Sequence, residues 1–257
     1  MSQEYEFITV ARANGRATLS LNRPPLNVLN IPMIEEINRA LADLREDATI
    51  KVLLIRGEGK CFSAGMDVAD HLPETFERML AVFHRMLEHL AALPIPTVSA
   101  VHGAALGGGL ELAVFADMTF AAAGAKLGQP EIKLAVFPPL AAAYFPGLIG
   151  WKRACDVILT GRTIGAEDAE RMGLVTAVFP DDALVARVDE IVRTLAGYSR
   201  PVLVATKRAI REAAGRPLFE GLELAERIYR DEVMATEDAV EGLRAFLEKR
   251  APQWKDR

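Results

Sequence analysis

The sequence predicts an α/β protein that ends in a helical layer, and three observations predict it. Strand-like and helix-like segments alternate as far as about Phe179, the pattern of strands joined by packed helices. From Asp182 the chain reads as nearly continuous helix, broken near Tyr198, Gly215 and Thr236. At 257 residues, 51% of them hydrophobic, it can bury a large core without a disulfide or a metal. The expected organisation is an α/β body over residues 1–197 and a helical region over 198–257. No low-complexity linker and no repeat of constant period is visible.

In chain order, Tyr5 to Ala11 and Ala17 to Asn22 are short alternating or β-branched runs on either side of Asn14-Gly15, a hairpin signal. Pro32 opens a helix with Ile34, Ile37, Leu41 and Leu44 at helical spacing, and Val52 to Arg56 is an apolar strand. Phe76, Met79, Leu80, Phe83, Met86, Leu87 and Leu90 mark an amphipathic helix that Pro94 ends. A buried strand, Thr97 to Val101, a helix, Gly109 to Phe115, and a strand, Met118 to Ala122, follow.

Composition excludes several functions. Thirty Lys and Arg against 35 Asp and Glu leave a formal charge of -5, so no basic field attracts nucleic acid or anionic lipid. The two cysteines, Cys61 and Cys155, make no disulfide framework or zinc pattern and fit a reducing compartment. Pro94, Pro96 and His102 interrupt the longest apolar run before it reaches the roughly 18 residues of a membrane span. Met1 to Val10 lacks the basic-then-apolar order of a secretory signal. A cytoplasmic protein is expected.

Three constellations can carry chemistry. Gly59 to Asp67 follows a strand, and Ser63, Ala64 and Gly65 are small enough for a ligand to approach the main chain and the Met66 N–H. Gly107, Gly108 and Gly109 precede a helix, where free N–H groups can face a developing negative charge. Their spacing matches neither the Walker pattern nor Gly-x-Gly-x-x-Gly. Glu111 sits in the first turn of that helix, and Glu131 follows Gly128-Gln129-Pro130. Each taken alone also has a bland explanation: an ordinary turn, tight packing, a carboxylate complementing a helix dipole, a solvated loop glutamate. Two carboxylates and two amide-rich turns together are the parts needed to add or remove water beside a thioester.

Ser-Ala-Gly-Met-Asp, Leu-Gly-Gly-Gly-Leu-Glu and Gly-Gln-Pro-Glu stand in the order seen in enoyl-CoA hydratases, and Leu243 to Arg250 resembles the end of such chains. Over essentially its whole length the chain resembles the enoyl-CoA hydratase/isomerase (crotonase) superfamily. Within it, the resemblance is to the cyclohexa-1,5-diene-1-carbonyl-CoA hydratases of aromatic degradation, through Asp70 to Pro73 with Met79-Leu80 and through Gly128 to Pro139. Common hydratases have Pro-Gly-x-Gly-Gly where this chain has Pro138 to Ala143. The resemblance implies a crotonase-like β-β-α spiral core with a C-terminal helical trimerisation region, in homotrimers or dimers of trimers. It implies an oxyanion hole of the Met66 and Gly108 N–H groups and a catalytic pair, Glu111 and Glu131. It further implies a CoA-binding stretch of Ser63, Ala64, Gly65 and Asp67, with Phe246 and Lys249 reaching a neighbouring subunit's CoA. The partner is an acyl-CoA substrate, and no cofactor or metal is implied beyond the CoA the substrate brings.

Other candidates are weaker. His84 and His89 do not share a helix face, and no His-Glu-x-x-His occurs. Ser63 lacks a nucleophile elbow, because Cys61 stands at the first glycine position, and Cys61 itself has no evident base. An isomerase or dehydratase on the same scaffold, and a non-catalytic acyl-CoA or RNA-binding protein, are the competing readings.

Overall fold

The structure is a computed structural model that describes residues 4–257; the first three residues of the expected body lie outside it. β1 (Ile8–Ala13) and β2 (Arg16–Leu21) form an antiparallel hairpin. Asn14 (φ 51°) and Gly15 (φ 75°) both take the left-handed conformation that a two-residue hairpin turn requires. β1 starts at Ile8 rather than Tyr5, because the Glu6 and Phe7 N–H groups donate to the Glu36 carboxylate at 2.9 and 2.8 Å instead of extending the ladder.

From β2 the sheet continues in parallel through β3 (Val52–Gly57), β4 (Thr97–Val101), β6 (Met118–Ala122) and β9 (Ala177–Phe179), in the order β1-β2-β3-β4-β6-β9. A second row holds β5 (Ala104–Leu106), β7 (Lys126–Gly128) and β8 (Thr163–Gly165), with β5 and β7 parallel and β8 antiparallel to β7. Single bridges between Ser63 and Ala105 and between Leu29 and Met66 prolong that row backwards.

The two rows reveal a repeat. β2, then Leu29, leads to α1 (Ile31–Glu46); β3, then Ser63 to Met66, leads to α2 (Phe76–Ala92); β4, then β5, leads to α3 (Gly108–Val114). Each turn thus places one strand in the long sheet, one short bridge in the second row and one helix outside. The long-sheet strands begin at Arg16, Val52, Thr97 and Met118, unevenly spaced, which hides the repeat from any search for a constant period. The matching second-row segments fall side by side, and these carry the candidate site.

The helices form where capping and periodicity direct them. Asn30 caps α1 by accepting the Met33 N–H at 3.1 Å, and Met33, Ile34, Ile37, Leu41 and Leu44 are buried on one face. Met79, Phe83, Met86, Leu87 and Leu90 of the stripe read from the sequence enter the same core from α2, together with Val82, whereas Phe76 and Leu80 of that stripe stand exposed. Between β7 and β9 lie α4 (Pro139–Ile149), α5 (Trp151–Thr160) and α6 (Ala166–Met172), which the sequence pattern alone does not delimit. Pro146 inside α4 and the high overall hydropathy of Pro139 to Ile149 blur the helical signal there.

α7 (Leu184–Ala196) closes the body by packing on β2, β3, β4, β6 and β9. Beyond it α8 (Arg200–Ala213), α9 (Leu218–Ile228), a π-helical turn (Tyr229–Val233) and α10 (Glu237–Leu247) make the terminal layer. The expectation of helix to the very end is corrected: α10 stops at Leu247, Lys249 takes φ 56°, and the tail turns back. Trp254 Nε1–H donates to the Gly197 carbonyl at 2.7 Å, while Asp256 accepts the Arg200 N–H at 2.8 Å and pairs with Lys51 at 2.8 Å. Among the described residues no helix is long and apolar enough to cross a membrane.

Candidate active site

The turn after β3 is bound on two sides. The Ser63 N–H donates to Ala104 and its carbonyl accepts from Leu106, both at 3.0 Å, while its hydroxyl donates to Asn27 at 2.7 Å and accepts from the Gly65 N–H at 3.2 Å. The segment from Leu26 to Leu29 forms the opposite wall: the Ala64 N–H donates to Leu26, the Leu29 N–H to Gly65 and the Asp67 N–H to Leu29. From Phe62 to Asp67 every N–H therefore has an acceptor except that of Met66, which has none among the described residues.

The second turn abuts the first. Gly107 (φ 50°) donates its N–H to Gly128 at 2.9 Å, and its carbonyl accepts the Glu111 N–H at 2.9 Å. Gly108 begins α3, so its N–H has no partner within the helix, nor any other among the described residues. A β-carbon on Gly108 would lie 2.7 Å from Met66 Cγ, and one on Gly109 would lie 2.7 Å from Ser63 Cβ. The glycines thus let the two turns touch and bring the two free amides to the same place.

Two carboxylates border these turns. Glu111, buried to 4% exposure, points from the first turn of α3, and one of its oxygens accepts the Ala141 N–H at 2.7 Å. Burial, countered by the Ala141 amide and reinforced by the nearby Glu131 charge, raises its pKa from 4.5 to about 7. Glu131 sits in the 3-10 turn Pro130–Leu134, half-buried, and burial raises it likewise to about 7. Its carboxylate lies against Gly107: a β-carbon there would come within 2.4 Å of Glu131 Oε1. Gln129, fully buried and oriented with its NH2 toward Glu131, donates to both carboxylate oxygens at 3.2 Å. Two such groups in poor contact with water share a titration near neutrality, the condition for one to hold a proton while the other accepts one.

Met66, Gly108, Glu111 and Glu131 are thereby gathered in one place from three consecutive second-row segments. Ser63 is fully buried and its N–H, carbonyl and hydroxyl are all engaged, so it offers a ligand no polar group and supports the turn instead. Ala64 and Gly65 form the turn backbone, and Asp67 caps the 3-10 turn Val68–His71 and pairs with Arg23 at 3.4 Å. Phe246, 83% exposed, and Lys249 lie at the end of α10, and no hydrogen bond or ion pair joins them to the carboxylates. The sequence reading missed the Leu26–Leu29 wall, for which Asn27 was an available signal. It follows Pro24-Pro25, takes φ 50°, and uses its amide to hold the Glu58 and Cys61 carbonyls at 2.9 and 2.8 Å.

A cleft of about 920 Å3 lies elsewhere, between the body and the terminal helices; Leu90, Phe115, Tyr144, Lys207 and Trp254 line it, and none of the four site residues does. We place the chemistry at the carboxylates because the free amides and the raised pKa values coincide there. No group of three or more His, Cys, Asp or Glu that could hold a metal occurs among the described residues.

A spiral of β-β-α turns that sets two carboxylates beside two unpaired amides defines an acyl-CoA enzyme of the crotonase type, and the chain belongs to the enoyl-CoA hydratase/isomerase family, whose model matches residues 11–257. It is an enzyme of the hydro-lyase type. Among its relatives, a probable enoyl-CoA hydratase of Mycobacterium bovis is 41% identical over 98% of this chain and 99% of its own. The cyclohexa-1,5-dienecarbonyl-CoA hydratase of Thauera aromatica is 37% identical over 97% of this chain and 96% of its own. The crystal structure of enoyl-CoA hydratase from Bacillus anthracis superposes with a TM-score of 0.93 at 34% identity, covering 98% of this chain and 100% of that one.

Proposed function

We propose that this enzyme adds water to the double bond of a cyclic dienoyl-CoA thioester of the cyclohexa-1,5-diene-1-carbonyl-CoA kind, with Glu111 and Glu131 as its acid/base pair. The observation that carries the reading is the pairing of a buried and a half-buried carboxylate, both raised to about pKa 7, with the unpaired Met66 and Gly108 amides. In the step, Glu111 takes a proton from water as the water oxygen bonds to the β-carbon. The π electrons move toward the thioester oxygen, which the two amides receive, and Glu131 delivers a proton to the α-carbon. Amide donors placed where charge develops act on the transition state more than on the ground state, and removing one typically costs on the order of a hundredfold in rate.

The cyclic substrate is supported by the name and identity of the Thauera relative and by Pro138 to Ala143, which replaces a glycine-rich turn with a bulkier one beside Glu111. The reaction needs no cofactor beyond the CoA of the substrate. Ala64, Gly65 and Asp67 lie along that CoA, and Phe246 and Lys249 serve a neighbouring subunit in a homotrimer or a dimer of trimers. Support for the assembly is the exposure of Leu218 (76%), Phe219 (79%) and Phe246 (83%) on the terminal layer. Two free cysteines, Cys61 buried and Cys155 partly so, support a reducing, cytoplasmic setting.

The test is a panel of linear and cyclic enoyl-CoA thioesters assayed by mass spectrometry in 18O-labelled water. Incorporation of solvent oxygen into a cyclic dienoyl-CoA, faster than into crotonyl-CoA, is expected. Preference for crotonyl-CoA rejects the cyclic substrate, and double-bond migration without oxygen uptake rejects hydration in favour of isomerisation.

A further inference from the structure

Glu111 is a buried carboxylate with few partners, and the one that donates to it comes from a helix that points at it. Ala141, whose N–H it accepts at 2.7 Å, is the third residue of α4. That helix opens with Pro139 at its first position, after Pro138 in extended geometry (φ -82°, ψ 107°), and continues through Leu140, Ala141, Ala142 and Ala143. Proline presets the helical φ at a position whose N–H would be unpaired anyway, and leucine and alanine favour helix, so this first turn is stiff. Its free amides face Glu111, that of Leu140 as well as that of Ala141. With eleven residues the helix is long enough for its peptide dipoles to add at that end.

Little else competes for Glu111. Of the elements packed on α3, strand β4 contributes Ser99 and β6 contributes Thr119, and both hydroxyls are turned to the Ala113 carbonyl. Strand β5 offers only Ala104, Ala105 and Leu106. The one charged group acting on Glu111 among the described residues is Glu131. Glu131 is held differently, by the Gln129 amide at 3.2 Å and by its own N–H. A shorter bond from a helix terminus supports an anion better than a longer one from a neutral side chain.

We propose that the first turn of α4, preset by Pro139, is a positioning element that holds the Glu111 carboxylate as the anion of the pair and so makes it the group that takes the proton from water. The assignment rests on the hydration reading given above, but it makes its own demand on the pH profile.

The experiment uses the full-length enzyme with Ala141→Pro, which deletes the donated N–H at a position in the first helical turn, and Pro139→Gly, which loosens that turn. The acid limb of the kcat profile should move up by about one pH unit or more, as loss of a hydrogen bond to the charged form dictates. The loss of kcat should be confined to pH below the new limb, whatever change in KM the altered Pro138–Ala143 segment brings. An unmoved limb, or an equal loss at every pH, overturns the proposal, because damage that is merely structural has no reason to follow protonation. Should Ala141→Pro fail to fold, Pro139→Gly decides. Site-resolved 13C titration of the two wild-type carboxylates decides independently: Glu111 must ionise at lower pH than Glu131, and the reverse order overturns the proposal. Failure of the hydration reading itself would show separately, as absence of turnover by wild type, and the order of ionisation would still be measured.

Discussion

The α/β body and the terminal helical layer are built on opposite terms. In the body, residues such as Phe62, Met33, Leu53, Leu110 and Phe145 are sealed in one continuous core that runs under the candidate site, and Glu111 is embedded in it. In the terminal layer only Ala205, Leu224 and Ile228 form a buried cluster, while Leu218, Phe219, Leu222, Phe246 and Leu247 stand exposed. The body can therefore hold catalytic geometry by itself, because close packing resists small displacements. The layer displays apolar surface, and this is the face that the proposed assembly would cover.

That contrast can be broken most forcefully at the carboxylates. Glu111→Gln and Glu131→Gln should each lower kcat for a dienoyl-CoA by at least about a hundredfold. Both should fold as wild type by circular dichroism, and near-wild-type turnover in either removes that residue from the mechanism.

Gly107→Ala should follow, with a loss of about tenfold or more, since its β-carbon would meet Glu131 Oε1 at 2.4 Å and its φ of 50° disfavours any side chain. A crystal structure of the variant should show Glu131 displaced, and an unmoved carboxylate with full activity would contradict the packing argument.

The terminal layer should respond differently. Phe219→Asp should shift the assembled mass toward the monomer in light scattering while the free body keeps its circular dichroism, and an unchanged mass would show that this face is not the contact. Lys207 fastens the layer to the body by donating to the Ile95 carbonyl at 2.8 Å and pairing with Asp117 at 2.7 Å. Lys207→Ala should cost about 2–4 kcal/mol by removing the packed stem and the cation beside Asp117, which keeps its Thr97 hydrogen bonds, whereas Lys207→Met should cost less because it keeps the packing of the stem. Urea unfolding of the two variants measures the difference, and equal losses would assign the cost to the amine and its charge rather than to packing of the stem.

The smallest effect concerns pH. Both glutamates have folded pKa values of about 7, above the ordinary 4.5, so their contribution to stability is present below about pH 4.5 and is lost as pH rises through 7. Between pH 5 and 8 the double Glu→Gln variant should thus lose less thermal stability than wild type, by about 2–4 °C or more in Tm. Parallel melting curves across that range would show that the two groups are not desolvated in the folded state.

Much of this protein was legible in the residues. The Asn14-Gly15 hairpin, the apolar stripes of α1 and α2, the glycine run before Glu111 and the helical character after Asp182 all follow from local rules, in which a residue's neighbours in the chain decide its conformation. The family resemblance rested on the same short motifs, and Met66, Gly108, Glu111 and Glu131 were named from them. What the chain order does not contain is the stacking of unequal turns into a second row. Only that stacking leaves Met66 as the unpaired amide between Leu26–Leu29 and Leu106, aims the start of α4 at Glu111, buries Ser63 out of reach, and folds Trp254 back to Gly197. Those facts are set by which backbone groups find partners far away in sequence and by how much water each carboxylate loses, and both depend on neighbours that only the folded chain supplies.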